Sequence, residues 1–482
     1  MAIQVRHIKQ WKLRAKTLRP NSHIGSLLPA ILILSALFID VAAGRWGAYI
    51  LTPIPGLYLP DALLALGVLA AIPNMCKLRD LPLVVRFAAA LPIVYICARM
   101  VELLSTGASQ NLYLVVRDLA PFAYLSLVPL IAVTLIPVPF SWILWILRIS
   151  SVIQVVALSL INWGLLSSVS VSFIEPDAAA LFDFRGDLQG VIVGIGLISW
   201  GKWPGWAGAN RYVQFALVIF SFQLGSRAAL VTALFCFLFV AIRERKWFPI
   251  WYWILMVTGA LLASLALNAA LQLKDTTVQD TTVQEVVEES ETDFLGKVLP
   301  SAERFMINSE SGRGTVNARL TTYALILDYL PQNTFWLLGA GPGTDILYTI
   351  CTGISDAPPR TSFDSEEGIT YLPSCPVDSS DAKSTLRDPH NWLLNLLVHH
   401  GTVGTLIFLI ALAAPCYWSK RSPNWSLGLS VVAAFVVCGT FGVILSAPFA
   451  MLPIAVMLGW MIKSKLVLLK GPVDKSEVRP IL

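Results

Sequence analysis

Long apolar runs are the feature of this sequence that most constrains its fold. A helix needs roughly 20 apolar residues to cross the hydrocarbon layer of a bilayer, and about twelve runs approach that length. The runs are continuous and do not alternate with period two, which favours helices over the strands of a barrel. The predicted spans cover residues 24–43, 57–72, 81–101, 119–136, 141–161, 188–200, 212–223, 227–242, 248–271, 392–418, 427–445 and 448–462.

Composition supports a membrane protein. The chain is 56% hydrophobic and 13% charged, whereas soluble domains are roughly a quarter charged. We therefore predict an all-α integral membrane protein with about 12 transmembrane helices. The sixth and seventh runs are short and flanked by glycine and proline, so they can be full spans, tilted, broken or re-entrant.

Basic residues predict the orientation, because lysine and arginine near span ends are retained in the cytoplasm. They concentrate in the N-terminal arm, in alternate connections and in the tail, for example at Arg6, Lys77, Arg243, Lys420 and Lys475. The chain then divides into a basic cytoplasmic arm (1–23), helices one to nine (24–273), a large outer loop (274–389), helices ten to twelve (390–464) and a cytoplasmic tail (465–482).

The outer loop is predicted to be partly helical. Apolar residues recur on one helical face between positions 318 and 330, and Gly339-Ala340-Gly341-Pro342-Gly343 then indicates a compact turn or a close backbone approach. This turn lacks the lysine and the preceding strand of a nucleotide-binding loop. The loop holds Cys351 and Cys375, which we expect to form a disulfide in an oxidising compartment; two free thiols are the alternative.

The junction between this loop and the tenth span places an imidazole at the membrane surface. In Asp388-Pro389-His390-Asn391, Asp388 is predicted to cap the helix and Pro389 to occupy its first position. His390 would then be held near the surface, where an imidazole can take a proton near neutral pH. His399-His400 lies further along, and adjacent helical residues chelate a metal poorly, so packing or polar lining is predicted there.

Three arginines are predicted to face the same side as His390. They are Arg185, Arg227 and Arg319. An arginine at a span is costly and usually faces a polar cavity, although snorkelling to head groups or pairing with nearby carboxylates is the alternative. Because guanidinium groups grip phosphate oxygens in pairs, converging arginines would suit a diphosphate.

The order of these residues resembles the O-antigen ligase and polymerase superfamily of bacterial envelope glycosyltransferases. The similarity runs through Arg185-Gly186, Ser226-Arg227, Arg319 with Tyr323, Gly339-x-Gly341, His390-Asn391 and Gly401-x-x-Gly404. It implies a GT-C-type fold and transfer of a glycan from undecaprenyl diphosphate to an acceptor sugar hydroxyl, with inversion and without metal or cofactor. In the family the histidine matching His390 activates the acceptor, and the arginines matching Arg227 and Arg319 engage the diphosphate.

The resemblance also suggests partners and places. Asn391, Tyr323, Gly339 and Gly341 would support the site. The donor would be an undecaprenyl-diphosphate-linked glycan, and the acceptor would be lipid A-core or a growing glycan, on the periplasmic side of the bacterial inner membrane. One dominant outer loop favours a ligase over a polymerase. A polysaccharide exporter or flippase is a further alternative, for which charge should line the inner half of several spans, with Arg148 as the main deep candidate.

Overall fold

The computed structural model describes residues 27–47, 59–106, 112–162, 335–343, 391–422, 425–440 and 448–470, with scattered positions between 191 and 327. The regular structure of these residues is helical, without a strand among them. The α-helices are α1 (Leu28–Gly47), α2 (Leu59–Ala70), α3 (Leu83–Thr106), α4 (Leu112–Thr134), α5 (Phe140–Asn162), α6 (Phe335–Leu338), α7 (Trp392–Trp418), α8 (Trp425–Gly439) and α9 (Pro448–Lys470).

Four of the described helices are long and apolar enough to cross a membrane. They are α3, α4, α7 and α9. A fifth span is possible if α2 and the 3₁₀ helix Ile72–Asp80 count as one, although they meet at 70°. Pro73 stands at the start of the 3₁₀ helix, and proline has no N–H with which to continue the preceding α-helix. The chain is thus an integral membrane protein, and the total of twelve spans stays a prediction.

The predicted helix bounds agree closely at α5 and α7 and are exceeded at α3 and α4. Helix α7 coincides with the predicted span 392–418, whereas α3 ends at Thr106 and not at 101, and α4 starts at Leu112 and not at 119. The added turns contain charged residues that have partners: Glu102 pairs with Arg99 one turn earlier, and Arg117 pairs with Asp118. Because these charges are partnered, the helices can continue beyond their apolar cores.

The core is organised around α9. Its residues from Ala450 to Lys463 are all buried, and it packs against α1, α4, α7 and α8. A Cβ atom at Gly459 would lie 2.8 Å from Ile131 Cγ2 and 3.1 Å from the Ala132 nitrogen of α4. The absent side chain therefore permits the close crossing of α9 and α4.

Basic residues cluster at one end of this bundle. The Lys463 ammonium donates to the Val138 carbonyl in the turn after α4, and Lys465 Nζ donates to the Lys420 carbonyl after α7 at 3.0 Å. Asn391 stands at the opposite end of α7. The basic end and the start of α7 are thus separated by the 27 residues of this kinked helix, which would span roughly 40 Å if it were straight.

Candidate functional site

The structure describes four of the residues that the sequence predicted for the site. These are Tyr323, Gly339, Gly341 and Asn391. Tyr323 is helical and half-buried. The candidate base His390, the arginines Arg185, Arg227 and Arg319, and the cysteines Cys351 and Cys375 lie outside the described residues. Their predicted roles stay predictions.

Asn391, and not Asp388, caps the helix that follows His390, so the predicted cap was wrong. Asn391 has an extended backbone (φ −153°, ψ 122°), and its Oδ1 accepts from the Leu393 and Leu394 nitrogens at 2.9 and 3.2 Å. An extended residue interrupts the helix, so a helix beginning at Pro389 cannot run through this position. Asn391 Nδ2 also donates to the Thr440 carbonyl at 3.4 Å. The residue next to His390 is thereby tied to the ends of two helices.

The glycine loop 339–343 docks on a kink in α7. Gly401 interrupts the helix with φ 62° and ψ −169°. Next to the kink, the Val398 carbonyl accepts from the Ala340 nitrogen at 2.7 Å and the His399 carbonyl accepts from the Gly341 nitrogen at 3.2 Å. The loop is therefore held by main-chain hydrogen bonds.

Glycine is required on both sides of this contact. A Cβ atom at Gly339 would lie 2.5 Å from the His399 carbonyl carbon, and one at Gly401 would collide with the Leu337 oxygen and the Gly339 nitrogen. Gly339 and Gly401 also have positive φ, which favours glycine. The predicted compact turn with close backbone approach is confirmed at these residues.

Asp118 joins the glycine loop to α4. Its Oδ2 accepts from the Gly343 nitrogen at 2.7 Å and lies 3.8 Å from His399 Nδ1, while Oδ1 accepts from the Arg117 guanidinium at 3.3 Å. His399 Nδ1 also lies 3.3 Å from the Gly341 carbonyl. A carbonyl can only accept, so Nδ1 carries the hydrogen. The buried carboxylate therefore connects the loop, α4 and α7.

His400 ties α7 to α3 and α4. Its Nε2 lies 3.1 Å from the Asp118 carbonyl and must donate, which leaves Nδ1 to accept from the Tyr95 hydroxyl at 3.1 Å. The ring also stands edge-on to Phe122 with centroids 4.8 Å apart. Both ring nitrogens are engaged and the residue is 2% exposed, so His400 acts as a buried polar tie, as predicted. Among the described residues no group of three or more His, Cys, Asp or Glu is placed to hold a metal ion.

Sequence reasoning missed the contributions of α3 and α4. Asp118 and Tyr95 complete the hydrogen-bond network around the two histidines, and Arg117 brings a quarter-exposed guanidinium to it. Arg99, one turn after Tyr95, is 4% exposed and pairs with Glu102 at 2.6 Å. The available signal was the Arg117-Asp118 pair directly before an apolar run, since charges at a span end need polar partners.

The deep Arg148 lies away from this network. Its Nε and Nη2 donate to the Ser199 carbonyl at 3.1 and 2.8 Å, and its guanidinium lies 5.3 Å from the centre of the Trp200 ring. The side chain is 1% exposed. Arg148 thus anchors residues 199 and 200 to α5.

One family model matches the chain over residues 212–409, and its description is O-Antigen ligase. The matched segment is about two fifths of the chain. It contains the glycine loop, Asn391 and the Gly401 kink, together with Arg227, Arg319 and His390. The predicted resemblance to the O-antigen ligase and polymerase superfamily is confirmed. No curated protein matches the chain.

Proposed function

We propose that this membrane chain, which matches a family model described as O-Antigen ligase over residues 212–409, is a glycosyltransferase of the bacterial inner membrane. It would move a glycan from undecaprenyl diphosphate to an acceptor sugar hydroxyl, most specifically to lipid A-core, in the manner of an O-antigen ligase. The observation that carries the proposal is the family match over 212–409, which takes in both the His390-Asn391 pair and the glycine loop.

In the proposed mechanism, His390 accepts the proton of the acceptor hydroxyl as its oxygen attacks the anomeric carbon of the donor. The bond between that carbon and the diphosphate oxygen breaks, and undecaprenyl diphosphate leaves. Arg227, Arg319 and Arg185 stabilise the negative charge that develops on the departing diphosphate. A single displacement inverts the anomeric configuration. Metal and cofactor are not needed, because the sugar-diphosphate bond is already activated.

The described geometry supports this arrangement through the backbone. Asn391 fixes the start of α7 at the residue after His390. The glycine loop, which begins 20 residues after Arg319 in the sequence, is bonded to α7 next to Gly401. The loop thus connects the segment that follows Arg319 to the helix that follows His390. Such fixed geometry is what a base and phosphate ligands need to act on one substrate.

The two ends of the bundle support the proposed orientation. Lys420, Lys463 and Lys465 meet at one end, and the glycine loop docks toward the other. Since basic residues near span ends are retained in the cytoplasm, we propose that the termini are cytoplasmic and that the site faces the periplasm.

The burial of Arg148 favours an enzyme over an exporter. An export path would expose charges to a water-filled route through the inner half of the bundle. Arg148 is instead buried and bonded to the Ser199 carbonyl. A polymerase shares the donor and the chemistry of a ligase and is separated from it by the acceptor.

The acceptor assay tests the proposal. Purified protein in nanodiscs would receive an undecaprenyl-diphosphate-linked glycan with either lipid A-core or a second lipid-linked glycan. We expect glycosylated core. A lengthened lipid-linked glycan would show a polymerase, and translocation without either product would contradict the proposal in favour of a transporter. His390→Ala should form product about 10²- to 10⁴-fold more slowly, whereas His23→Ala, in the predicted cytoplasmic arm, is the matched control.

A further inference from the structure

A narrow recess opens beside the first turn of α7. Trp392, Asn395, Asp118 and His400 line it together with the apolar side chains of Pro121 and Phe408. The polar residues belong to α4 and α7, the helices that the Asp118 network joins. The recess therefore adjoins the Asp118 network of the candidate site.

Two polar atoms of this lining have no hydrogen-bond partner in the described part of the chain. They are the indole nitrogen Nε1 of Trp392 and the amide oxygen Oδ1 of Asn395. The two side chains are 8% and 5% exposed, so bulk water does not satisfy them. A buried polar atom without a partner is costly, and most such atoms are paired with protein or with a bound group.

The two atoms are complementary. The indole N–H can only donate and the amide oxygen can only accept. Their residues are three apart on one helix, so both side chains lie on the same face. A group that satisfies both with a single atom accepts one hydrogen bond and donates another, which is the chemistry of a hydroxyl. The nitrogens of His400 do not compete for it, because Asp118 and Tyr95 already engage them.

We infer that the recess is a binding site for one hydroxyl-sized group, held by Trp392 Nε1 and Asn395 Oδ1. The group is a hydroxyl of the acceptor sugar or a bound water. Trp392 follows His390 by two residues, so their Cα atoms are at most about 7 Å apart. A sugar hydroxyl in the recess would orient the acceptor next to the proposed base. The assignment to an acceptor sugar rests on the proposed function, whereas the assignment to a bound water does not.

Thermal unfolding of the full-length protein in nanodiscs, without substrate, tests for a bound water. The variants are Trp392→Phe, Asn395→Leu and the double substitution. If the recess were empty, Asn395→Leu would remove an unpaired polar atom and leave the melting temperature unchanged or raise it. Trp392→Phe would still lower it through the packing lost with the smaller ring, and the two effects would then add. If a water bridges the two atoms, each variant melts at a lower temperature. The double variant then loses less melting temperature than the sum of the single variants, because both substitutions remove the same bridging water. The matched control is the double variant Asn395→Leu/Thr405→Val. The Thr405 hydroxyl bonds to the Gly401 carbonyl at 2.7 Å, so the losses of melting temperature from these two substitutions should add.

Transfer kinetics test for the sugar. If the recess holds an acceptor hydroxyl, both single variants raise the KM for lipid A-core about three- to tenfold, the worth of one hydrogen bond. The KM for the lipid-linked donor and kcat should stay unchanged. Either of two results supports the inference. A raised KM for the acceptor would identify the group in the recess as a sugar hydroxyl, and a coupled loss of melting temperature would identify it as a bound water. The inference is overturned if neither occurs. Absence of transfer by the unsubstituted protein would refute the proposed function, and melting would then decide alone whether the recess is occupied.

Discussion

The start of α7 and the body of α9 are held in opposite ways. Around α7, main-chain hydrogen bonds join the glycine loop to a kink, and buried Asp118, His399 and His400 complete the network. Along α9, a continuous buried stretch packs against four other helices. Polar networks require each partner in place, whereas apolar cores tolerate changes that conserve volume. Substitutions near α7 should therefore alter transfer, and those in α9 should alter stability alone.

The largest effect on transfer is expected from His390→Ala. Loss of a general base lowers the rate by about 10²- to 10⁴-fold, and the melting temperature should be unchanged. The measurement is product formation on lipid A-core beside a thermal unfolding curve. Transfer within a few fold of the unsubstituted protein would remove His390 from the mechanism.

His400→Ala contrasts with His390→Ala, because His400 joins helices and His390 is the proposed base. Both nitrogens of His400 are bonded and its ring packs on Phe122. The variant should therefore lose stability by about 2–4 kcal/mol, as well as activity. A melting temperature equal to that of the unsubstituted protein would contradict the role of His400 as a tie between helices.

Gly401→Ala should separate the glycine loop from α7. The new Cβ would collide with main-chain atoms of Leu337 and Gly339, which cannot move aside as a side chain can. Positive φ adds a cost of roughly 1–3 kcal/mol. We expect at least tenfold slower transfer, because small displacements of reacting groups can slow a reaction by that much. We also expect easier proteolysis of the outer loop.

Gly428→Ala in α8 is the matched glycine control. The three atoms nearest to its Cβ would all belong to the side chain of Met461, with which α9 packs against α8. A methionine can adopt another rotamer, so transfer should be retained. Equal loss of transfer in both glycine variants would show that helix packing in general, and not the docked loop, controls the activity.

Asp118→Asn tests the charge at the junction of the loop and α4. The shape is retained, but the amide cannot accept at both positions from Gly343 and Arg117. We expect transfer to fall several-fold and stability to fall by about 1–3 kcal/mol. Glu102→Gln is the control, because Glu102 is 49% exposed and the amide oxygen of its replacement can still accept from the Arg99 guanidinium.

Helix α7 and the glycine loop that docks on it could largely be predicted from the sequence. Apolar length predicted α7 at 392–418, and the glycines of the run 339–343 indicated a compact turn or a close backbone approach. These features are local, because hydropathy and glycine each limit the nearby backbone directly. The family match confirmed the resemblance that the order of motifs indicated.

The partners of the buried histidines could not be predicted in the same way. Tyr95 lies 305 positions from His400 in the sequence, and Asp118 lies 282 positions from it. Nothing in the local pattern of α3 or α4 specifies such a contact, which depends on how the helices pack. The wrong cap had a related cause. Asp388 and Asn391 are both good caps, and only the extended backbone of Asn391 decides between them.

The smallest effects are expected from a conservative pair, Tyr95→Phe near α7 and Met457→Leu in α9. The first removes the hydroxyl that donates to His400 Nδ1 and leaves a buried acceptor unpaired, so about 1–3 kcal/mol of stability should be lost. Transfer should also fall a few fold, because His400 positions the helix that follows His390. Met457 is fully buried, and exchange for leucine conserves volume, so the loss should be below about 1.5 kcal/mol with transfer unchanged. If Met457→Leu slowed transfer as much as Tyr95→Phe, the apolar helix would govern the site as strongly as the polar network does.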